Sequence, residues 1–336
     1  MILHLLVVHI ILLCGFLCTK SLLAQTGPKI IDKAKQEGRV VYYTPLNVTA
    51  ANVLIKSFEK EYPYLRVQLL RQGGEALRTR VLSEAQAGRH NFDVISMNIL
   101  DAQLLQRREL LAPYISTERG GIPQGLKDRE GFWTASYIIQ HVIGYNSRLV
   151  PAGKIPRDWR DLLDPIWKGK IGLDRDGVVW YASLLQYWGR ERGVKFMKQL
   201  SVQEPHFERG NTLRTQMMAA GEFPLAVVHA HKVEEFKTKR APIDWVTTSN
   251  PIITHGNIVS IARHAPHPNA ARLFVDYFLS KKGQIVLNEA FVVPARTDIP
   301  PLAPSLDQSK LNVHYVDPVL AENYNQYQKE YQEIFQ

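Results

Sequence analysis

From residue 40 onward, short runs of β-branched and aromatic residues alternate with longer stretches whose apolar positions fall at helical spacing. Residues 40–44 (VVYYT) predict a strand. Thr49 then stands as the N-cap of a helix whose apolar positions are Ala51, Leu54, Ile55, Phe58 and Tyr62, and Pro63 stops it. Residues 65–70 predict a second strand. Gly73-Gly74 opens a helix with Leu77, Val81 and Ala85 on one face and Gly88 at its end. Residues 92–96 predict a third strand and residues 100–111 a third helix. A β-α-β-α-β-α order predicts a parallel sheet with helices on its faces.

Residues 138–145 read as a strand leading out of this unit into a second one. There, a short helix over 159–163 precedes a strand over 171–173 and a helix over 181–188. A helix over 212–220, closed by Gly221, leads to a strand over 225–229. Residues 258–262 predict a strand returning to the first unit. The following helix, over 269–279, buries Leu273, Phe274, Tyr277 and Phe278. Residues 301–336 predict a loop and a final helix packing on both units. The expected fold is α/β and two-lobed, with parallel-rich sheets flanked by helices. One lobe comprises residues 38–137 and 258–300, and the other residues 138–257. The two crossing strands would form a hinge. Ligands of open parallel sheets bind beyond the carboxyl ends of the strands, so two such units would share one cleft.

The apolar run over residues 5–18, followed by Lys20, Ser21 and Ala24, predicts an export signal over residues 1–24. It is shorter than the ~20 residues a membrane span needs. An uncleaved anchor and a lipid-modified cysteine stay open as alternatives. Cleavage after Ala24 removes both cysteines of the chain, which excludes disulfides, thiol nucleophiles and cysteine–metal centres from the exported form. The net charge of +9 is spread along the 336 residues rather than gathered in a tail. The clusters Arg107-Arg108 and residues 237–240 read as solvated faces, and with export predicted no nucleic acid is expected as a partner.

Four segments, in order, resemble the substrate-binding components of ABC importers, closest to the ferric-ion-binding-protein-like, two-lobed family. They are RQGGEALRTRV (71–81), VIGYNSRLV (142–150), WRDLLDPIWKGKIGL (159–173) and ARLFVDYFLSKKGQ (271–284). The resemblance implies a periplasmic, monomeric protein that closes over a small solute and delivers it to an inner-membrane ABC permease. It implies no enzymatic activity and no cofactor. Relatives that hold Fe³⁺ place two tyrosines where this chain has His231-Lys232. Many add a histidine where Asn47 stands, and some a glutamate where Met97 stands. None of these ligands is kept, and the replacements are neutral or cationic. A small anion or organic acid is therefore the expected solute, with iron or another transition metal, or a sensory role feeding a receptor, as alternatives.

Position relative to the predicted strands selects candidate ligand-binding residues. Thr44 and Asn47 follow the first strand, and Ser96 and Asn98 the third. Gly74 exposes backbone N–H groups at a helix start, as does the Gly210-Asn211-Thr212 turn, with Arg214 one turn in. Arg175 and Asp176 follow a strand of the second unit, with Tyr181 beyond them; Arg175 could grip an oxyanion through paired hydrogen bonds. His229 and His231, two apart at a strand end, could share a face and bind an anion with Lys232, or a transition metal in the alternative reading. His264 and His267 lie in a proline-broken loop and read as surface. No G-x-S-x-G, H-E-x-x-H, P-loop or G-x-G-x-x-G is present.

Overall fold

The computed structural model describes residues 28–335; the predicted export signal lies outside the described residues. Among the described residues no helix is long and apolar enough to cross a membrane.

The first part of the chain runs α1 (Pro28–Glu37), β1 (Arg39–Thr44), α2 (Val48–Glu61), β2 (Arg66–Arg71), α3 (Gly74–Gln86), β3 (Val94–Asn98), α4 (Ile99–Arg107) and a short β4 (Leu111–Ala112). A long strand, β5 (Thr134–Asn146), then leads into β6 (Ile171–Asp174), α5 (Val178–Trp188), α6 (Arg190–Ser201), β7 (His206–Glu208), α7 (Asn211–Ala220), β8 (Leu225–His229), α8 (Ala230–Thr238) and β9 (Ile243–Trp245). The return strand is β10 (Ile252–Ala262). After it come α9 (Pro268–Leu279), α10 (Lys281–Glu289), β11 (Val293–Pro294), β12 (Val313–Tyr315) and α11 (Tyr324–Phe335).

The strands join in the order β2-β1-β3-β10-β5-β8-β6-β7. β1 pairs in parallel with β2 and β3 at one end, and β6 with β7 and β8 at the other. Between these blocks β5 and β10 run antiparallel to each other and to their outer neighbours. Their register slips between Asn257 and Ile258, leaving Ser136 of β5 as the extra residue of a bulge. The Ser136 hydroxyl donates to the Asn257 carbonyl (2.9 Å), and the Gln284 amide donates to the Ser136 carbonyl (2.6 Å), so the bulged residue is tied on both sides.

Strand alternation places successive side chains in two separate cores. Tyr42 packs with Phe58, Phe274 and Phe278, whereas its neighbour Tyr43 faces Leu77, Val81 and Phe92. Helices therefore cover both faces, as the parallel pattern predicts.

Local details differ from the sequence reading. Asn47, not Thr49, caps α2, because its side-chain oxygen accepts from Ala50 N–H (3.0 Å). β10 begins six residues before the predicted 258. α1, α6, α8 and α10 were not predicted. The start of α6 is masked in sequence by Gly189 and Gly193. α8 was hidden because His229 and His231 read as a pair sharing the end of the preceding strand.

α11 bridges elements from both ends of the sheet. Its Tyr324 hydroxyl lies 2.5 Å from the Arg78 guanidinium of α3, and its Gln328 amide donates to Glu75 (3.0 Å). On its other side the Tyr331 hydroxyl donates to the Asp174 carbonyl (2.5 Å). Glu330 accepts from the Tyr181 hydroxyl (3.1 Å) and pairs with Arg190.

Candidate functional site

The parallel strands end on a shared cavity of about 640 Å³. Pro45 to Asn47 follow β1, Arg71 ends β2 and Asn98 ends β3. Leu173 and Asp174 end β6, Arg209 follows β7 and His229 ends β8. Each of these strands feeds a helix or turn at the cavity, so six helix amino-termini stand in its wall: α2, α3, α4, α5, α7 and α8.

Two of the six are capped by their own side chains. Asn47 caps α2, and Asn98 caps α4 by accepting from Asp101 N–H (3.0 Å). The other four begin after Gly73, Gly177, Gly210 and His229, and no side chain caps them. Their first-turn N–H groups are the unsatisfied donors of any helix start, and the aligned peptide dipoles add positive potential there. Glycine has a steric reason at two of them. Gly210 has φ of +90°, and a Cβ on Gly177 would lie 2.6 Å from the Tyr331 hydroxyl.

The side chains around these termini divide by charge. The Arg71 guanidinium meets the Pro45 carbonyl (3.4 Å) at the rim. Arg209 reaches Glu75 (3.4 Å) and Asp176 (3.8 Å), which come from opposite ends of the sheet. Burial, then the neighbouring Glu75 and Asp174 carboxylates, push the Asp176 carboxyl up to about 7. Arg214 is 1 % exposed, and its guanidinium pairs with Asp174 (2.9 Å) while its Nε donates to the Val227 carbonyl (2.7 Å). Lys232 pairs with Glu235.

The floor is set by the crossing strands and β8. Tyr137, Ile139 and His141 on β5, His255 and Asn257 on β10, and Val227 and His229 on β8 share one face by alternation and cross-strand register. Four histidine rings thus gather. His141 lies 4.9 Å from His229 and 5.4 Å from His255 between ring centroids, and His229 lies 5.6 Å from His231. Desolvation, reinforced by the neighbouring imidazoles and Arg214, holds His141 and His229 well below the usual histidine range. Burial, with Lys232 beside it, pushes His231 down to about 3, and burial pushes His255 down to about 4. All four are neutral at pH 7. Among the described residues no group of three or more His, Cys, Asp or Glu side chains is arranged to hold a metal ion.

Of the residues selected from sequence, Asn47, Gly74, Asn98, Asp176, Asn211, His229 and His231 line the cavity. Asn211 is already engaged: its Oδ1 accepts from the His229 N–H (2.8 Å). His231 does not share a strand face with His229; it sits in the first turn of α8. Thr44, Ser96 and Tyr181 are fully buried away from the lining. The Thr44 and Ser96 hydroxyls face each other at 2.6 Å and both meet the Tyr42 hydroxyl, so they seal the strand ends rather than present them. Arg175 lies off the main cavity, in a small recess beside α11. Arg214 is committed to Asp174, and Met97 is buried in the core. Sequence reasoning passed over His141, His255, Asn257 and Trp180. The available signal was a polar residue interrupting an otherwise apolar crossing strand.

Residues 92–245 match the family model described as bacterial extracellular solute-binding protein. An uncharacterized protein of Haemophilus influenzae is 26 % identical over 283 residues, covering 80 % of each chain. Among solved structures, iron-bound HitA from Pseudomonas aeruginosa superposes with a TM-score of 0.79 at 17 % identity, covering 88 % of this chain and 99 % of that one. AfuA from Actinobacillus pleuropneumoniae, with exogenous fructose-6-phosphate bound, gives 0.77 at 22 % identity, covering 89 % and 97 %. The fold, with its cavity between two parallel blocks and its two crossing strands, is that of the type II periplasmic binding proteins. Within that fold the chain is similar, over residues 92–245, to bacterial extracellular solute-binding proteins.

Proposed function

We propose that this chain is the periplasmic solute-binding component of an ABC importer and that its solute is a small organic anion or oxyanion. Residues 38–137 with 258–300 form one lobe and residues 138–257 the other, and β5 and β10, with their bulge at Ser136, act as the hinge. The open form admits solute. Contacts from both lobes then favour the closed form by their differential affinity, and a membrane permease takes the solute without any bond being broken.

The observation that carries this reading is the set of four uncapped helix amino-termini in one cavity wall. Such termini offer N–H donors and positive potential that favour an anion without a dedicated cation. The neutral histidines fit the same reading, since they take no positive charge that would bind the anion irrespective of its shape. Iron, carried by HitA, would need anionic oxygen ligands, and the residues standing at the tyrosine-pair positions are His231 and Lys232.

A thermal-shift series on the exported chain tests this reading. The probes are phosphate, citrate, gluconate, glucose 6-phosphate, ferric chloride and zinc chloride, each with and without EDTA. An anion that raises the melting temperature in EDTA is expected, because a ligand of the folded state alone stabilises it. A rise confined to the metals and abolished by EDTA would overturn the reading and return the site to metal transport.

A further inference from the structure

The cavity is larger than a bare oxyanion requires, and its floor is polar in a particular way. Its volume of about 640 Å³ lies within the ~300–1,000 Å³ of pockets that enclose organic ligands. Several cavity-lining side chains, two on the crossing strands and two in the first turns of α5 and α8, keep a buried polar atom with no hydrogen-bond partner. They are Asn257 (Oδ1), His141 (Nε2), His231 (Nδ1) and Trp180 (Nε1). Asn257 is 3 % exposed and Trp180 2 %.

These atoms differ in what they require. An amide oxygen only accepts, an indole nitrogen only donates, and a neutral imidazole does one of each. The His255 Nδ1 faces the Gly256 carbonyl at 3.2 Å and so carries its proton, leaving Nε2 as an acceptor. A buried polar atom left unpaired keeps the full cost of its lost hydration. An alkyl chain would leave every one of these atoms unpaired. A carboxylate or phosphate oxygen would satisfy the donors and leave Asn257 and His255 without one. A hydroxyl group both donates and accepts, so a carbon chain bearing several hydroxyls satisfies the mixed set. Tyr137 and Trp180 supply ring surface beside it for the chain's C–H faces.

We infer that the solute is an oxyanion group on a polyhydroxylated carbon chain, with the anion at the uncapped termini of α3, α5, α7 and α8 and the hydroxyls on Asn257, His255, His141 and Trp180. This rests on the anion reading above and narrows it. The chemistry is shared by phosphorylated sugars and sugar acids, which the test separates.

Isothermal titration of the exported chain with matched pairs decides it. Glucose 6-phosphate is compared with hexyl phosphate, and gluconate with hexanoate, with sorbitol as the uncharged polyol. At least one hydroxylated anion is expected to bind more than about 100-fold tighter than its deoxygenated partner, since a site built to hydrogen-bond a hydroxyl strongly rejects the analogue lacking it. Which pair shows the ratio tells phosphate from carboxylate. Asn257→Leu and, independently, His255→Phe are each expected to narrow that ratio to below about tenfold. Equal binding within both pairs would overturn the inference and leave the anion reading standing. Sorbitol binding as tightly as either hydroxylated anion would overturn the anion reading and keep the hydroxyl floor. No binding by any of the five compounds would overturn the inference.

Discussion

Arg214 and Asp174 form a 2.9 Å ion pair directly behind the cavity wall, joining α7 to the end of β6. Arg214 also donates to the carbonyls of Val227 and Glu208, so one guanidinium ties three strand ends together. Removing it strands a carboxylate and two carbonyls. Arg214→Ala is expected to cost about 3 kcal/mol, the lower end for a broken buried pair because Asp174 keeps some water contact. Urea unfolding at pH 7 measures this. A loss below about 1 kcal/mol would show that the network is dispensable.

Asp176 gives the cavity a proton-dependent charge. Its carboxyl is raised to about 7 by burial and by Glu75 and Asp174, while Arg209 opposes the rise. Below that pH Asp176 is neutral and an anion meets less repulsion; above it the carboxylate competes. Anion affinity is therefore expected to fall as pH climbs from 6 to 8. Asp176→Asn should flatten the profile over that window. Titration of wild type and variant with the same anion at both pH values is the check, and parallel profiles would refute the assignment.

The buried histidines make stability acid-sensitive. Their folded-state values lie below the unfolded value of about 6.5, so the unfolded chain takes up protons first as pH falls. The stability they contribute is complete above about pH 6.5. It is lost on descending toward the folded values, about 4 for His255 and about 3 for His231. Each contributes a slope of roughly 1.4 kcal/mol per pH unit inside that window. His255→Gln should reduce the slope of unfolding free energy between pH 6 and 4.5 by about that amount.

Gly177 and Tyr331 press α11 against the amino-terminus of α5. A methyl group at residue 177 would lie 2.6 Å from the Tyr331 hydroxyl, which is itself bonded to the Asp174 carbonyl. Gly177→Ala is expected to cost about 1–3 kcal/mol by overpacking. The loosening should be local, seen as faster amide hydrogen exchange in α11 while β1 to β3 keep their protection. Unchanged exchange in α11 would mean that the helix yields without detaching.

The alternation of strand and helix was legible because each strand is a short β-branched run and each helix shows an apolar stripe. β8 was read to its true ends, from Leu225 to His229. The site was legible only where chain order defined it, at the residues following strands: Asn47, Gly74, Asn98, Asp176 and His229 all reach the cavity. Thr44 and Ser96 occupy equivalent positions and turn inward, because the buried Tyr42 hydroxyl offers both a partner. No sequence spacing reports that preference. His141 and His255 escaped notice for a different reason. They share a face only through the β5–β10 register, which depends on residues more than a hundred positions apart.

One cavity draws on residues from Pro45 to Tyr331, with α11 closing its flank. α11 supplies Tyr324 and Tyr331 to the lining, so an excursion that frees it is expected to weaken solute binding. Under the proposed function, bound solute would act as a fastener on α11, coupling fraying of that helix to release of the ligand. Loaded protein should then resist carboxypeptidase trimming far better than empty protein, although the cleavage point lies outside the pocket.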